Sequence, residues 1–299
     1  MHKLKDLINQ GRNALSVCYE RHEAENVLKM VFSSALSLDS KDLIMKADAD
    51  LSDEEYRKIA GIFGELETGK PVQQVLHEAW FMDMKFYVDK NVLIPRPETE
   101  ELVLWILERF PAMDHSQINF LDIGTGSACI PVSISKLRPS WNIYALDVSG
   151  PALEVAQKNA LSHNVAINFS LLDILACDKT ALLSLLNPSE SNNENLFDII
   201  VSNPPYVKDS EMSSMHVRVK SFEPHIALFV PDEDPLVFYR EIALKSSQVL
   251  KSGGSLFLEL NEALSAQLSD LLLSFGYKDV EVRKDFFGKD RMISAVYTH

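Results

Sequence analysis

The residues best suited to chemistry are Asn203-Pro204-Pro205-Tyr206, which follow the apolar run Phe197 to Ser202. An amino group conjugated to a carbonyl or a ring is a poor nucleophile, because its lone pair is delocalised into the π-system. Two carbonyl oxygens, each accepting from one N–H of the same planar NH2, hold that nitrogen and favour its pyramidal, attacking form. Asn203 offers a side-chain carbonyl, and Pro204 a backbone carbonyl aimed by ring-locked dihedrals. Pro205 stiffens the turn, and the Tyr206 ring offers a flat wall for a planar group. Such a site works by orientation and electrostatics, and needs no general base until the product nitrogen sheds a proton. Asn-Pro-Pro is also a common rigid turn. The surrounding elements decide between the two readings.

The run Phe197 to Ser202 reads as a buried strand halted by a double proline, which puts the tetrapeptide at a strand's carboxyl end. Open α/β sheets bind ligands at that edge. A first strand, Ile118 to Ile123, runs into Gly124-Thr125-Gly126-Ser127-Ala128-Cys129 and then a helix from Ile130 to Leu137. Glycine permits the sharp turn and a close backbone approach to a ligand, but the third glycine of the dinucleotide fingerprint is missing, which counts against a bound pyrophosphate. A second strand, Asn142 to Leu146, ends at Asp147, placed to accept from both hydroxyls of a ribose. After a helix from Pro151 to Leu161, a third strand, Ile167 to Leu172, ends at Asp173. That carboxylate can accept from an adenine amino group or cap the next turn, and its place on the same edge favours the first. Downstream come a helix from Phe238 to Leu250, a turn at Gly253-Gly254, a fifth strand from Ser255 to Leu260 and a helix from Ala263 to Phe275. Strands near Val280 to Val282 and Met292 to Tyr297 have no helix between them and should pair antiparallel.

Ahead of the sheet, residues 1–76 carry helical apolar stripes and form a small all-α unit, with Ser52 and Glu55 as a helix-starting pair. It either supports the catalytic part or docks a macromolecular substrate. Residues 77–97 form a linker, with strand propensity from Trp80 to Val88 and a hairpin turn at Met82-Asp83-Met84. The segment Ile94-Pro95-Arg96-Pro97 then places an arginine between two prolines, ahead of a helix through Phe110. It is a linker and cap, or the wall of a substrate cleft with Arg96 facing the substrate. Residues 98–299 make up the rest, with a polar surface insertion from Leu186 to Asn195 and a long connection from Val207 to Phe229 suited to a lid.

The composition is that of an ordinary globular protein, with 46% hydrophobic and 24% charged residues in 299. Lys+Arg 29 against Asp+Glu 43 leaves a net charge of −14, which disfavours unguided attraction to nucleic acid. Three separated cysteines suggest reduced thiols in a cytoplasmic protein, eight scattered histidines suggest no metal site, and no run is apolar enough to span a bilayer.

A glycine turn, a ribose aspartate and Asn-Pro-Pro-Tyr on strand four, in that order, resemble class I methyltransferases that use S-adenosylmethionine. The implied fold is α/β: a seven-stranded, Rossmann-like sheet with one reversed strand, a small N-terminal all-α domain and a β-hairpin linker. More narrowly, the chain resembles the HemK/PrmC family, which methylates the side-chain amide nitrogen (N5) of the glutamine in the Gly-Gly-Gln motif of peptide chain release factors. The resemblance covers nearly the whole length. It rests on Leu93 to Glu100, Leu121 to Ser127, Ser202 to Tyr206, Glu223-Pro224 with Ala227-Leu228, and Lys284-Asp285 with Asp290-Arg291. It implies that Gly124, Thr125, Gly126, Ser127 and Ala128 line the cofactor's methionine end, with Asp122 helping to hold the ammonium. It also implies Asp147 on the ribose, Asp173 and Ile174 on the adenine, and Asn203 touching both cofactor and glutamine. The Pro204 carbonyl and Tyr206 position the amide. Ala128 stands where the family usually has a third glycine, and Met82-Asp83 replaces a usual tyrosine-glycine. The expected reaction is direct in-line displacement without a metal, by a monomer acting on a release factor and not on nucleic acid or membrane. The competing readings are a nucleic-acid amino methyltransferase acting on adenine N6 or rRNA guanine N2, an idle cofactor-binding adaptor, and a nicotinamide dehydrogenase. The last leaves the tetrapeptide unexplained.

Overall fold

The computed structural model describes residues 2–111, 117–186 and 196–298, so the polar insertion lies outside the described residues except for Leu186. The chain forms two units, Met1–Glu78 with His216–Phe222, and Ala79–Met215 with Glu223–His299.

The first unit contains α1 (Leu4–Leu15), α2 (Arg21–Leu36), α3 (Ser40–Met45), α4 (Asp53–Glu67) and α5 (Val72–Leu76). Leu7, Leu28, Val31, Phe32, Ile59 and Phe63 come from the apolar stripes of three of these helices and close one core. Ser52 and Glu55 form a reciprocal capping box at the start of α4. The unit is not purely helical, because β1 (His2–Lys3) pairs antiparallel with β2 (Asp50–Leu51), strands too short to leave a periodic signal. The segment His216–Phe222 belongs here, with Arg218 donating to Glu23 and to the Cys18 carbonyl and lying 3.6 Å from the Tyr19 ring centroid. Gly11 lets α1 approach α4 closely, since an added Cβ would sit 2.3 Å from Cζ of Phe63. Gly11→Ala is therefore expected to destabilise by about 1–3 kcal/mol through overpacking. A gain of roughly 0.5–1 kcal/mol in helix propensity offsets only part of this, and a raised Tm of the full chain would contradict it.

The second unit opens with β3 (Ala79–Phe81) and β4 (Met84–Phe86), which pair with Phe81 opposite Met84. Met82 and Asp83 take φ of 50° and 58°, the two positive values of a type I′ turn whose twist suits a two-residue hairpin. α6 (Pro97–Arg109) follows, with Pro97 as its first residue. The alternation then runs β5 (Asn119–Ile123), α7 (Cys129–Leu137), β6 (Asn142–Asp147), α8 (Gly150–Ser162), β7 (Asn168–Leu171), α9 (Lys179–Leu183) and β8 (Phe197–Ser202). After β8 come β9 (Val207–Lys208), α10 (Val217–Phe222) of the first unit, and β10 (Phe229–Val230), which pairs parallel with β9. The chain ends with α11 (Val237–Val249), β11 (Leu250–Glu259), α12 (Ser265–Ser274), β12 (Tyr277–Lys284) and β13 (Asp290–Tyr297).

Seven strands form one sheet in the order β12-β13-β11-β8-β5-β6-β7. β13 runs antiparallel to both neighbours, and the pairs from β11 to β7 are parallel. Alternation along each central strand feeds two cores. Phe120, Ile199, Val201 and Phe257 join one with α6, α7 and α8, while Leu121, Ile123, Ile200 and Leu256 join the other with α9, α11 and α12. Gly253-Gly254 is not a turn ahead of a strand, because β11 already starts at Leu250 and shifts register before Ser255. A Cβ on Gly254 would lie 2.9 Å from the Lys251 carbonyl and 3.2 Å from that of Asp198, so glycine serves close backbone packing.

Candidate active site

The carboxyl ends of β5, β6, β7 and β8 open on one cavity of about 240 Å³. Its wall includes Gly124, Thr125, Gly126, Ser127, Asp147, Asp173, Ile174, Asn203, Pro204, Pro205 and Arg96, which the strand ends and the proline-bracketed segment bring together.

The glycine turn is built by backbone. Gly124 and Gly126 take φ of 74° and 53°, and the N–H groups of Gly124 and Thr125 both donate to the Leu146 carbonyl. Asp147 at the end of β6 accepts from Gly126 N at 2.8 Å and Ser149 N at 2.9 Å, one on each oxygen. Burial raises its pKa, against the lowering by these backbone donors. Each oxygen keeps a further lone pair for a hydroxyl. Asp173 does both things open to it: Oδ1 caps the turn by accepting from Leu175 N at 2.8 Å, and the residue lines the cavity. Beside it Lys245 is 8% exposed, donates to the carbonyls of Ile174 and Leu175, and pairs with Glu241 at 2.9 Å. It clamps the loop that presents Ile174.

Two residues beside the turn lie outside the cavity wall. Ala128 is absent from the cavity wall: it is fully buried, with φ of 61°, at the N-cap of α7. The left-handed backbone explains why glycine suits this position, and alanine stays at a cost of about 1–2 kcal/mol. Asp122 is likewise not in the wall. Its two carboxylate oxygens are buried, with the Thr125 hydroxyl beside them. Burial pushes its pKa up to about 7, the Thr125 hydroxyl opposing and the Asp147 charge adding to the rise.

Asn159 on α8, fully buried, accepts from Tyr87 N at 2.7 Å and donates to the carbonyls of Tyr87 and Ser127, each at 2.9 Å. It ties the linker to the glycine turn. Asn159→Ala leaves these backbone groups unpaired and is expected to cost roughly 2–4 kcal/mol. Asn159→Asp, which sets an anion against two carbonyls, should cost no less. Thermal denaturation tests both, and unchanged melting in either would refute the assignment.

On the acceptor side, Asn203 Nδ2 donates to Thr99 Oγ1 at 3.1 Å, and Thr99 Oγ1 donates to Glu259 Oε2 at 2.6 Å. Among the described residues nothing donates to Asn203 Oδ1 or to the Pro204 carbonyl, so two oxygens remain to accept from a planar NH2. Tyr206 is not part of the wall. Its ring packs against the core beside α11 and its hydroxyl donates to Glu259 Oε1 at 3.0 Å, so it anchors the turn. Burial and the Glu259 charge raise the Tyr206 pKa, keeping the phenol a donor. Arg96 lines the cavity, but its Nη2 is paired at 2.6 Å with Glu223, a side chain 1% exposed that also accepts from Ile94 N. Thr99, Asn159, Lys245 and Glu259 have no site role in the sequence reading, and Glu223 enters it only through the Glu223-Pro224 motif. The available signal was a charge within otherwise apolar strand or helix patterns, as in Leu256 to Leu260.

Sheet order, glycine turn and acid-ended strands define a class I methyltransferase. Residues 104–220 match the methyltransferase small domain family, and residues 6–76 match the PrmC N-terminal domain family. The human methyltransferase 10 domain containing protein shares the fold at a TM-score of 0.52 and 18% identity, over 72% of this chain and 88% of that one. The chain belongs to the release factor glutamine methyltransferase family. It is 38% identical over 293 residues to that enzyme of Flavobacterium psychrophilum, covering 98% of each chain. It is 37% identical to that of Bacteroides thetaiotaomicron, over 95% of this chain and 96% of the relative. The family's cofactor is S-adenosylmethionine, and the residues present fit it. Asp147 suits the ribose, and Asp173, Ile174 and Phe238 suit the adenine. The positive-φ glycine turn leaves room for the methionine end: a Cβ at Gly124 or Gly126 would meet nothing within 4 Å.

Proposed function

We propose that this chain methylates the side-chain amide nitrogen (N5) of the glutamine in the Gly-Gly-Gln motif of peptide chain release factors. When bound, S-adenosylmethionine supplies an electrophilic methyl group on a sulfonium. Asn203 Oδ1 and the Pro204 carbonyl accept the two N–H groups of the glutamine amide and hold its nitrogen at the cavity wall. Pro204 and Pro205 keep the turn rigid, and Tyr206 ties it to Glu259. No charged base is needed for attack, since the proton leaves after the nitrogen has taken the methyl group. The observation that carries this reading is Asn203, which lines the cavity with its amide nitrogen bonded to Thr99 and no donor to its oxygen among the described residues.

The helical unit is the docking surface for the release factor. Its groove is lined by Lys5, Arg12 and Lys29 with Ile8 and Leu28, beside Ile44, which is 79% exposed. A net charge of −14 argues against nucleic acid as the substrate. Action on a translation protein suits a cytoplasmic enzyme, which we take to act as a monomer. Incubation with methyl-labelled cofactor, purified release factor and RNA, followed by mass mapping, tests the function. Label is expected on the Gly-Gly-Gln glutamine, and label on RNA instead would overturn it.

A further inference from the structure

We propose that Glu259, acting through Thr99, is a positioning residue that decides which end of the Asn203 amide faces the cavity. The inference rests on the function proposed above and follows from counting protons. A threonine hydroxyl has one hydrogen, and Thr99 gives it to Glu259 Oε2 at 2.6 Å. Its oxygen can then only accept, so the group facing it must be a donor, which is Asn203 Nδ2 at 3.1 Å. The other carboxylate oxygen is occupied by the Tyr206 hydroxyl at 3.0 Å. Glu259 is 1% exposed and Thr99 3% exposed, so water does not compete for these bonds.

An ionised carboxylate cannot donate, and the chain of bonds therefore has one sense: Asn203 to Thr99 to Glu259. A flipped Asn203 would set its oxygen against the Thr99 lone pairs and turn its NH2 toward the substrate NH2, donor against donor. A proton on Glu259 removes this constraint. Glu259 can then donate to Thr99, Thr99 can donate to Asn203, and the acceptor oxygen is lost from the cavity. The groups facing Glu259 are Thr99 and Glu98 from α6, Tyr206 after β8, Cys129 from α7, Tyr239 from α11 and Arg291 from β13. Burial raises its pKa, while the Thr99 and Tyr206 hydroxyls and the Arg291 charge lower it.

The test compares wild type with Thr99→Val, Thr99→Ser and Glu259→Gln in single-turnover transfer to release factor across acid pH, with cofactor affinity measured by titration. Thr99→Val is expected to slow transfer about 10- to 100-fold with cofactor affinity and KM for release factor within about threefold, and Thr99→Ser to restore it. Wild type should lose rate on an acid limb lying above the ordinary carboxylate range, and Glu259→Gln and Thr99→Val should lack that limb. A purely structural role for Thr99 would lower affinity and melting temperature together and leave the limb in place. An acid limb that persists in Glu259→Gln, or a Thr99→Val rate within about threefold of wild type, overturns the relay alone. Failure of wild type to label the glutamine overturns the functional reading and the relay with it.

Discussion

Asn203→Ala should lower single-turnover methyl transfer by roughly 10²–10³-fold while leaving cofactor affinity nearly unchanged. The side chain supplies one of two oxygens available to accept from the substrate amide, and no described group is positioned to replace it. The elements suited to hold the cofactor are separate: the glycine turn donates to the Leu146 carbonyl, and Asp147 takes its own backbone donors. The loss therefore belongs in kcat and not in cofactor binding. Rapid-quench transfer from labelled cofactor, run beside a calorimetric titration, separates the two. Turnover within about threefold of wild type would remove the basis for the mechanism.

Asp147→Ala should act in the opposite way, weakening cofactor binding by about 10²–10⁴-fold. Hydrogen bonds to a charged acceptor contribute about 1.5–3 kcal/mol each, and two ribose hydroxyls would lose theirs. The same change leaves the Gly126 and Ser149 N–H groups without their acceptor, at a folding cost of about 1–3 kcal/mol. Asp147→Asn is no milder, because both oxygens already face N–H donors and an amide nitrogen on either side meets one of them. Transfer at saturating cofactor should recover much of the rate in both variants. A dissociation constant within about threefold of wild type would show that the ribose does not rest on this side chain.

The strand ends at Gly124, Asp147, Asp173 and Asn203 were legible in the sequence, because apolar β-branched runs halted by glycine, aspartate or proline carry a local signature. The antiparallel closing pair was legible too, since no helix intervenes between its strands. The polar network behind the site was not. Thr99 meets Glu259 across 160 residues and Asn159 meets Tyr87 across 72, and no local pattern encodes such pairings. The flat ring of Tyr206 reads as a wall from the sequence, which gives no sign that its hydroxyl is held by the buried Glu259. The family resemblance implies Ala128 on the cofactor, but the turn buries it before α7 begins. The depth of Asp122, 1% exposed at the end of its strand, was not legible either.

Glu223 touches two stretches of the cavity rim. Its own chain runs into Pro224, Ile226 and Ala227 on one side, and its carboxylate grips Ile94 and Arg96 on the other. One buried carboxylate thus holds the two stretches together. Losing the Glu223 carboxylate would therefore disturb both stretches of the rim at once.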